Sequence, residues 1–233
     1  MIILEIVAVS LVGGFLALDR AAVCQLMLSR PIVAAPIIAI MLGEPVVGLK
    51  VGLILELLWI HCLPVGASIP PDETIVSVLV TAITVWSMSF FEGNADAIIS
   101  LSLIIVIPAA ILAQRMDSYI RKRNIRSAHM ADRAIEDFDL NKLQRECLKG
   151  IKRFYLAYVA IFFIFLSIGT LFIYFLYPIL PAFALRGLSV LYYVLPLVGI
   201  ASVLTMARIK NTLSLFFASF VVFFGLIEVV KWW

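Results

Sequence analysis

The sequence predicts an all-α integral membrane protein, a polytopic bundle with broken or re-entrant helices in its N-terminal half and ordinary transmembrane spans in its C-terminal third. Of its 233 residues, 64% are hydrophobic and 14% are charged, and the mean hydropathy is +1.11. This leaves too little polar surface to cover a water-soluble globule. Apolar runs recur along the chain, and because a spanning helix needs about 20 residues, the length admits about six to eight membrane segments.

One internal stretch carries most of the basic residues. Residues 114–153 contain 11 of the 18 Lys and Arg residues beside six acids, and an excess of such cations is typical of the cytoplasmic side. Apolar residues recur here at intervals of three and four, which indicates amphipathic helices against the membrane or a partner, although a solvated connector is the alternative. These residues are Ala131, Ile135, Phe138, Leu140, Leu143, Cys147 and Ile151. The stretch divides the chain into an N-terminal membrane region (1–113), a cytoplasmic segment (114–153) and C-terminal transmembrane helices (154–233).

The C-terminal third predicts three spans. Its long apolar runs are residues 154–177, 188–207 and 212–230. Pro178, Pro181 and Arg186 interrupt the pattern between the first two runs. The last run ends at Lys231 beside two tryptophans, residue types that anchor helix ends at the membrane interface.

The N-terminal half begins with shorter segments. Residues 1–18 lack the basic start and cleavage pattern of a secretory signal, which predicts a retained membrane segment. The first seventy residues are repeatedly interrupted by charges, glycines and prolines, and the run 32–42 is too short to cross a bilayer. Broken helices are tolerated at membrane depth only where protein buries them or they line a wet cavity, so a substrate site is expected here. Residues 74–91 and 97–113, joined by a short connector, predict a helical hairpin.

Glu56 is the first candidate for a substrate contact. It lies in the apolar run 51–63, where an ionisable group is costly unless it is paired or faces a wet cavity. A carboxylate can accept hydrogen bonds from two neighbouring hydroxyls, so a polar ligand rich in hydroxyls would suit it. The alternative is that Glu56 pairs with a lysine or arginine. Lys50 lies six residues away, off the same helix face, so a pair within this helix is disfavoured.

The segment that follows supplies the other candidates. Asp72 comes after Pro70 and Pro71, where it is placed to cap the next helix and where the helix amides also attract a hydroxyl-bearing group; plain capping is the alternative. Small residues before the prolines let the backbone approach a ligand. They are Gly66, Ala67 and Ser68. Gly48 and Gly52, spaced by four, predict a close helix contact.

Several classes of chemistry are excluded. His61 and His129 are the only histidines, which excludes a multi-histidine metal site, and the three cysteines have no ligand spacing. Nucleotide-binding signatures are missing, and we predict no catalytic residue, no cofactor and no nucleic-acid partner. Energy for transport must therefore come from a gradient or from partner proteins.

Motifs within residues 13–81 resemble those of one transporter family. They are Arg30-Pro31, Leu42-Gly43-Glu44, Leu55-Glu56 and Gly66-Ala67 leading to Pro70-Pro71-Asp72. Their order and spacing resemble the IIC subunit, the sugar permease, of the mannose/fructose/sorbose family of the bacterial phosphotransferase system. The family usually has Asp where this chain has Glu44, and small or apolar residues where it has His61 and Cys62.

The resemblance implies a function and a set of partners. It implies a multi-pass permease of the bacterial inner (cytoplasmic) membrane that carries a hexose-like sugar in an elevator-like motion, paired with a IID membrane subunit in a trimeric assembly. Soluble IIA and IIB proteins would relay phosphate through phosphohistidines, so this chain would not be an enzyme itself. Glu56 and Asp72 fall on the family's acidic positions and are expected to contact sugar hydroxyls, beside Gly66, Ala67 and Ser68.

Two other readings remain open from the residues alone. Lys50 and Glu56 within apolar surroundings would also suit an unrelated secondary transporter, coupled to an ion gradient. The departures at Glu44, His61 and Cys62 would suit a membrane scaffold or receptor that keeps the permease fold without turnover.

Overall fold

The computed structural model describes residues 2–23, 25–60, 62, 70–91 and 94–206, together with the single positions 214, 218 and 221. Within these ranges the chain forms seven α-helices and one short 3-10 turn. They are α1 (Ile2–Ala21), α2 (Pro31–Met41), α3 (Pro45–Trp59), α4 (Glu73–Phe90), α5 (Ala95–Glu136), α6 (Leu140–Leu176), the turn Tyr177–Ile179 and α7 (Ala182–Met206). The all-α prediction is confirmed.

Helix α4 lies at the centre of the bundle. Every residue from 74 to 87 is buried, and α1, α2, α3, α5 and α6 all pack against it. Its serine and threonine hydroxyls bond mainly to carbonyls of the preceding turn, as Thr81 does to Ser77 at 2.7 Å and Ser87 to Ile83 at 2.7 Å. The polar groups are thereby satisfied inside the helix, as a membrane interior requires.

Helices α5 and α6 form a long antiparallel pair. The predicted hairpin of residues 74–91 and 97–113 is confirmed as α4 and α5, but α5 continues without a break to Glu136. The chain turns at residues 137–139 and returns as α6, which is 37 residues long. The basic segment is therefore not a set of separate surface helices: it extends two membrane helices. We call it the hairpin extension, residues 114–153.

Helices α2 and α3 form a short hairpin held by close backbone contact. Gly43 turns the chain with φ +86°, a conformation that a glycine adopts freely. A Cβ on Gly48 would lie 2.4 Å from the Cβ of Ala39, and one on Gly52 would lie 2.9 Å from the carbonyl oxygen of Pro31. The predicted close contact at these two glycines is confirmed.

Five helices are long and apolar enough to cross a membrane: α1, α4, α5, α6 and α7. The first two of the three runs predicted after the basic segment correspond to α6 and α7. Arg186 does not interrupt the pattern as predicted, since the helix starts before it, directly after Pro181, a residue favoured at helix starts. The third predicted run, 212–230, lies outside the described residues apart from three positions.

Candidate functional site

A polar cavity of about 360 Å³ lies where the ends of several helices converge. The end of α1, the connection to α2 and the start of α4 form its wall. Its lining includes the two cations Arg20 and Arg30 and the carboxylates of Asp19 and Glu73. The volume is within the range of about 300–1,000 Å³ that small-molecule sites occupy.

Arg30 lies between two carboxylates. Its Nε and Nη2 both donate to Glu56 Oε1, the Nε at 2.9 Å, and its Nη1 lies 3.6 Å from Glu73 Oε1. The other Glu56 oxygen accepts from the backbone N–H of Ile32 at 3.3 Å. The pair therefore joins the end of α3 to the start of α2 and leaves Glu73 on the cavity side of the guanidinium.

Asp72 belongs to a second buried ion pair. Its Oδ1 accepts from the backbone N–H groups of Thr74 and Ile75 at 3.0 and 3.2 Å, which caps α4 as predicted. Its Oδ2 lies 3.4 Å from Arg20 Nη1 and accepts from the Tyr158 hydroxyl at 3.3 Å. Asp72 thus ties α4 to α1 and α6, and four groups satisfy a carboxylate that is 2% exposed.

The loop between α1 and α2 is shaped by Asp19. This carboxylate accepts from the backbone N–H groups of Leu26 at 2.7 Å and Ser29 at 3.3 Å. The carbonyl oxygen of Ser29 in turn accepts from the Thr74 hydroxyl at 2.9 Å. Since the hydrogen bonds pin the loop against α4, the guanidinium of Arg30 is held at a fixed place beside the cavity.

The predicted site residues divide into three groups. Glu56 and Asp72 lie beside the cavity, each bound to one arginine that lines it, and neither lines the cavity itself. Gly66, Ala67 and Ser68 lie outside the described residues. Sugar binding by these five residues stays a prediction. The ion pair of Glu56 with Arg30 matches the alternative given for Glu56 in the sequence analysis.

Three lining residues were not singled out from the sequence. Asp19 and Arg20 break an otherwise apolar helix, and this pattern alone could have marked them as costly at membrane depth. Glu73 follows the capping Asp72, and an acid in the first turn of a helix is so common that no sequence signal separates it from a dipole-stabilising residue.

Lys50 forms a separate polar cluster. Its Nζ lies 3.3 Å from Asp96 Oδ1, and Asp96 Oδ2 accepts from the Tyr193 hydroxyl at 2.9 Å. The expectation that Lys50 does not pair with Glu56 is therefore confirmed. This cluster connects α3, α5 and α7 and lies apart from the polar cavity.

A second cavity, of about 480 Å³, lies at the opposite end of α1 and α4. Its lining includes Glu5, Glu44, Trp86 and Ser89. The Trp86 indole N–H donates to Glu5 Oε2 at 2.9 Å. Polar cavities thus occur towards both ends of the same two spanning helices.

Comparison with known proteins identifies related sequences. The family described as the sorbose-specific IIC component of the phosphotransferase system matches residues 3–229. A sorbose-specific EIIC component from Klebsiella pneumoniae is 26% identical over 196 residues, covering 82% of this chain and 69% of that protein. A mannose-specific EIIC component from Escherichia coli (strain K12) is 24% identical over 194 residues, covering 82% and 70%.

Two solved structures share the fold. One, described as a membrane protein, has a TM-score of 0.70 at 21% identity and covers 98% of this chain and 92% of its own. The other is the mannose transporter ManYZ in complex with microcin E492, with a TM-score of 0.59 at 22% identity and the same coverage. At these identities the structural likeness supports the fold alone.

Proposed function

Because the chain belongs to the family of sorbose-specific IIC components of the phosphotransferase system, which are sugar permease components, we propose that it translocates a hexose-like sugar through the polar cavity beside Arg30 and Glu73. It serves as the membrane-spanning transport component of the system. The observation that carries this proposal is a cavity of suitable size, lined by two carboxylates and two guanidinium groups, where the ends of membrane helices converge.

The chemistry of the cavity suits a polyhydroxylated ligand. A sugar hydroxyl both donates and accepts, so it can bind a carboxylate and an arginine at the same time. Glu73 is held by Arg30 at 3.6 Å only, which leaves its carboxylate free to accept from hydroxyls. Replacing hydration of these charges by sugar hydroxyls lets a polar cargo enter without an unpaired buried charge.

Glu56 and Asp72 act in this proposal together with their arginines. Each carboxylate fixes the position of one guanidinium, Arg30 or Arg20, that lines the cavity. A direct contact of Glu56 or Asp72 with a hydroxyl requires that the arginine pair opens when sugar enters. Gly66, Ala67 and Ser68 complete the site in the proposal.

The remaining assignments follow from the family and from the charge pattern. The chain spans the bacterial inner membrane with residues 114–153 on the cytoplasmic side, where basic residues concentrate. It pairs with a IID membrane subunit in a trimeric assembly, and phosphoryl transfer is carried out by soluble IIA and IIB proteins. The two chain segments on either side of residues 114–153 form the membrane-embedded part.

Sugar uptake in cells that supply all partner subunits tests the site. Radiolabelled mannose and sorbose are the probes, and Glu73→Gln, Glu56→Gln and Asp72→Asn are the variants. Each substitution keeps the shape and removes the charge. We expect Glu73→Gln to lower uptake at least tenfold, since it removes an acceptor of charge-assisted hydrogen bonds. Asp132→Asn, an exposed acid of the hairpin extension away from the cavity, is the matched control and should transport normally.

Two results would contradict the proposal. Normal uptake by all three carboxyl variants, at equal membrane levels, would remove this cavity as the sugar site. Ion-driven uptake by the chain alone, without the IID, IIA and IIB proteins, would favour an unrelated secondary transporter instead.

A further inference from the structure

The hairpin extension projects far beyond the membrane. Because α5 is continuous from the span to Glu136, the 23 residues after Ala113 carry it about 35 Å onward at about 1.5 Å per residue. A headgroup layer is only about 5–8 Å thick. Most of the extension therefore lies above the lipid headgroups.

One face of α5 carries a line of unpaired cations. Arg115, Lys122, Arg126 and Arg133 are all exposed, and at 100° per residue they fall within about 40° of one another on the helix circumference. We call them the outer stripe. They form no ion pair with any residue that the structure describes.

The outer stripe points away from the partner helix. Asn124, on the opposite face, donates to the Gly150 carbonyl at 3.3 Å and accepts from Arg153 at 3.1 Å, which fixes the face that packs on α6. The stripe extends over about 27 Å of helix. Like charges spaced along a helix repel one another, so the stripe contributes nothing to the stability of the hairpin itself.

The tip of the extension exposes a second unusual feature. Phe138 is 91% exposed and has a φ of +55°. Its N–H donates to the Ile135 carbonyl at 3.0 Å, and the N–H of Asp139 donates to the Ala134 carbonyl at 2.8 Å, which is the Schellman pattern that ends a helix. Glycine is the usual residue at this left-handed position, because a side chain there is strained.

Phe138 therefore makes little packing contact with the rest of the protein, and its side chain strains the left-handed backbone. Ile135 and Leu140 beside it are 58% and 76% exposed. We call these three residues the tip. Exposed apolar side chains are typical of binding surfaces, and at about 35 Å from the span they do not reach the bilayer.

We propose that the outer stripe and the tip together form the docking surface for a soluble protein that presents an apolar pocket beside a strongly acidic, phosphoryl-bearing surface. The tip supplies an aromatic anchor, and the stripe supplies cations that attract and orient the partner. This inference rests on the proposed function, in which soluble phosphoryl carriers serve the permease, and it names the surface of this chain that receives them.

The partner assignment follows from charge and height. Residues 114–153 carry five more positive than negative charges, 11 against six, whereas the whole chain carries a net +3. Anionic lipid could neutralise Arg115 near the membrane, but Arg126 and Arg133 lie about 18–30 Å beyond residue 114, farther than a Debye length of about 8 Å from the lipid surface. A folded protein partner, unlike the lipid surface, can contact the outer stripe and the tip at the same time.

Binding of the system's soluble IIB protein to the full chain tests the inference. The chain is held in nanodiscs of neutral lipid, and IIB is added with and without its phosphohistidine. The stripe variant carries Lys122→Glu, Arg126→Glu and Arg133→Glu. The matched control carries three reversals on other faces of the same extension, Arg123→Glu, Arg145→Glu and Lys152→Glu. We expect the wild-type chain to bind phosphorylated IIB more tightly than unphosphorylated IIB, because the added negative charge faces the stripe. The stripe variant should weaken binding at least tenfold and remove this difference, whereas the control should weaken binding much less.

The tip is tested by Phe138→Gly and Phe138→Ala. We expect both to weaken IIB binding at least tenfold, as loss of an anchor does. Only the glycine variant removes the strain of the left-handed backbone. It should keep or raise the midpoint of thermal unfolding while losing the partner, a combination that a purely structural role for Phe138 does not produce.

Several outcomes would overturn the inference. They are equal weakening by stripe and control, absence of IIB binding to the wild-type chain, unchanged binding by both Phe138 variants, and stripe-dependent binding of phosphatidylglycerol vesicles without any effect on IIB. Concentration-dependent dimerisation through the tip would assign it to a second copy instead. Sugar binding by calorimetry is measured in parallel: its absence from the wild-type chain refutes the proposed function, whereas its presence in a stripe variant that no longer binds IIB supports both proposals.

Discussion

The contact between α2 and α3 at Gly48 gives a prediction that can be worked through from the structure. A Cβ at this position would lie 2.4 Å from the Ala39 Cβ and 2.8 Å from the Ala35 carbonyl oxygen. Carbon atoms prefer about 3.5–4.0 Å, so Gly48→Ala forces the two helices about 1 Å apart. Such overpacking costs about 1–3 kcal/mol.

A matched control isolates this packing cost. Gly187 lies within α7 and a Cβ there would meet no atom within 4 Å, so Gly187→Ala gains helix propensity of about 0.5–1 kcal/mol without a clash. Both variants share that gain, so the difference between their free energies of unfolding measures the clash at Gly48. At about 2–4 °C per kcal/mol, Gly48→Ala should unfold about 2–12 °C below Gly187→Ala.

The assay is thermal unfolding of the purified chain in nanodiscs, followed by tryptophan fluorescence. Sugar uptake is measured beside it, because separating α2 from α3 also displaces the Arg30–Glu56 pair that joins their ends. We expect uptake to fall with Gly48→Ala and to stay normal with Gly187→Ala. Equal unfolding midpoints for the two variants would refute the reasoning, since a Cβ at the close approach of α2 and α3 would then not destabilise the protein.

Three further predictions concern other contacts. Arg30→Met leaves Glu56 without its cation and should lower the unfolding midpoint, whereas adding Glu56→Gln should restore part of the loss; a double-mutant cycle with a coupling energy near zero would contradict the pair. The hydrogen bond from Lys149 lowers the pKa of Glu146 below the usual glutamate range. The ionised carboxylate therefore stabilises the folded hairpin at pH values above its unfolded-state pKa of about 4.3. This stabilisation is lost as the pH falls through the lower pKa of the folded state. Lys149→Met should therefore raise the pKa of Glu146 in an NMR titration, and an unchanged value would refute the cause. Gly199→Ala places a Cβ 2.7 Å from the α3 backbone and should lower the unfolding midpoint relative to wild type; an equal or higher midpoint would show that α7 does not need this approach.

Much of the membrane architecture could be predicted because it depends on local composition. Apolar runs separated by charged or proline-containing segments identified the hairpin of α4 and α5 and the spans within α6 and α7, and the sequence alone indicated that α2 is too short to cross. The role of Asp72 as a helix cap was also predictable, since capping depends on residues adjacent in sequence. The interruption expected at Arg186 was wrong because one exposed charge does not end a helix.

The candidate site was only partly predictable, because its residues come from distant parts of the chain. The sequence marked Glu56 as a costly charge, but that its cation is Arg30, 26 residues earlier, depends on how α2 packs on α3. It gave no reason to pair Arg20 with Asp72 and Tyr158, which lie on three different helices. In the sequence Glu73 is an ordinary first-turn acid, and only the structure shows that it lines the cavity beside Arg30.

Composition and short motifs are enough to establish that this is a membrane protein, where its apolar segments lie and which family it resembles, whereas α5 and α6 extend many residues beyond the predicted apolar runs. The properties that the sequence establishes follow from hydropathy and from short motifs. The three-dimensional packing sets which charges meet, makes α5 and α6 one continuous hairpin and leaves Phe138 exposed in a left-handed turn. Burial, ion pairing and exposure arise from contacts between segments far apart in the chain, which no local pattern specifies.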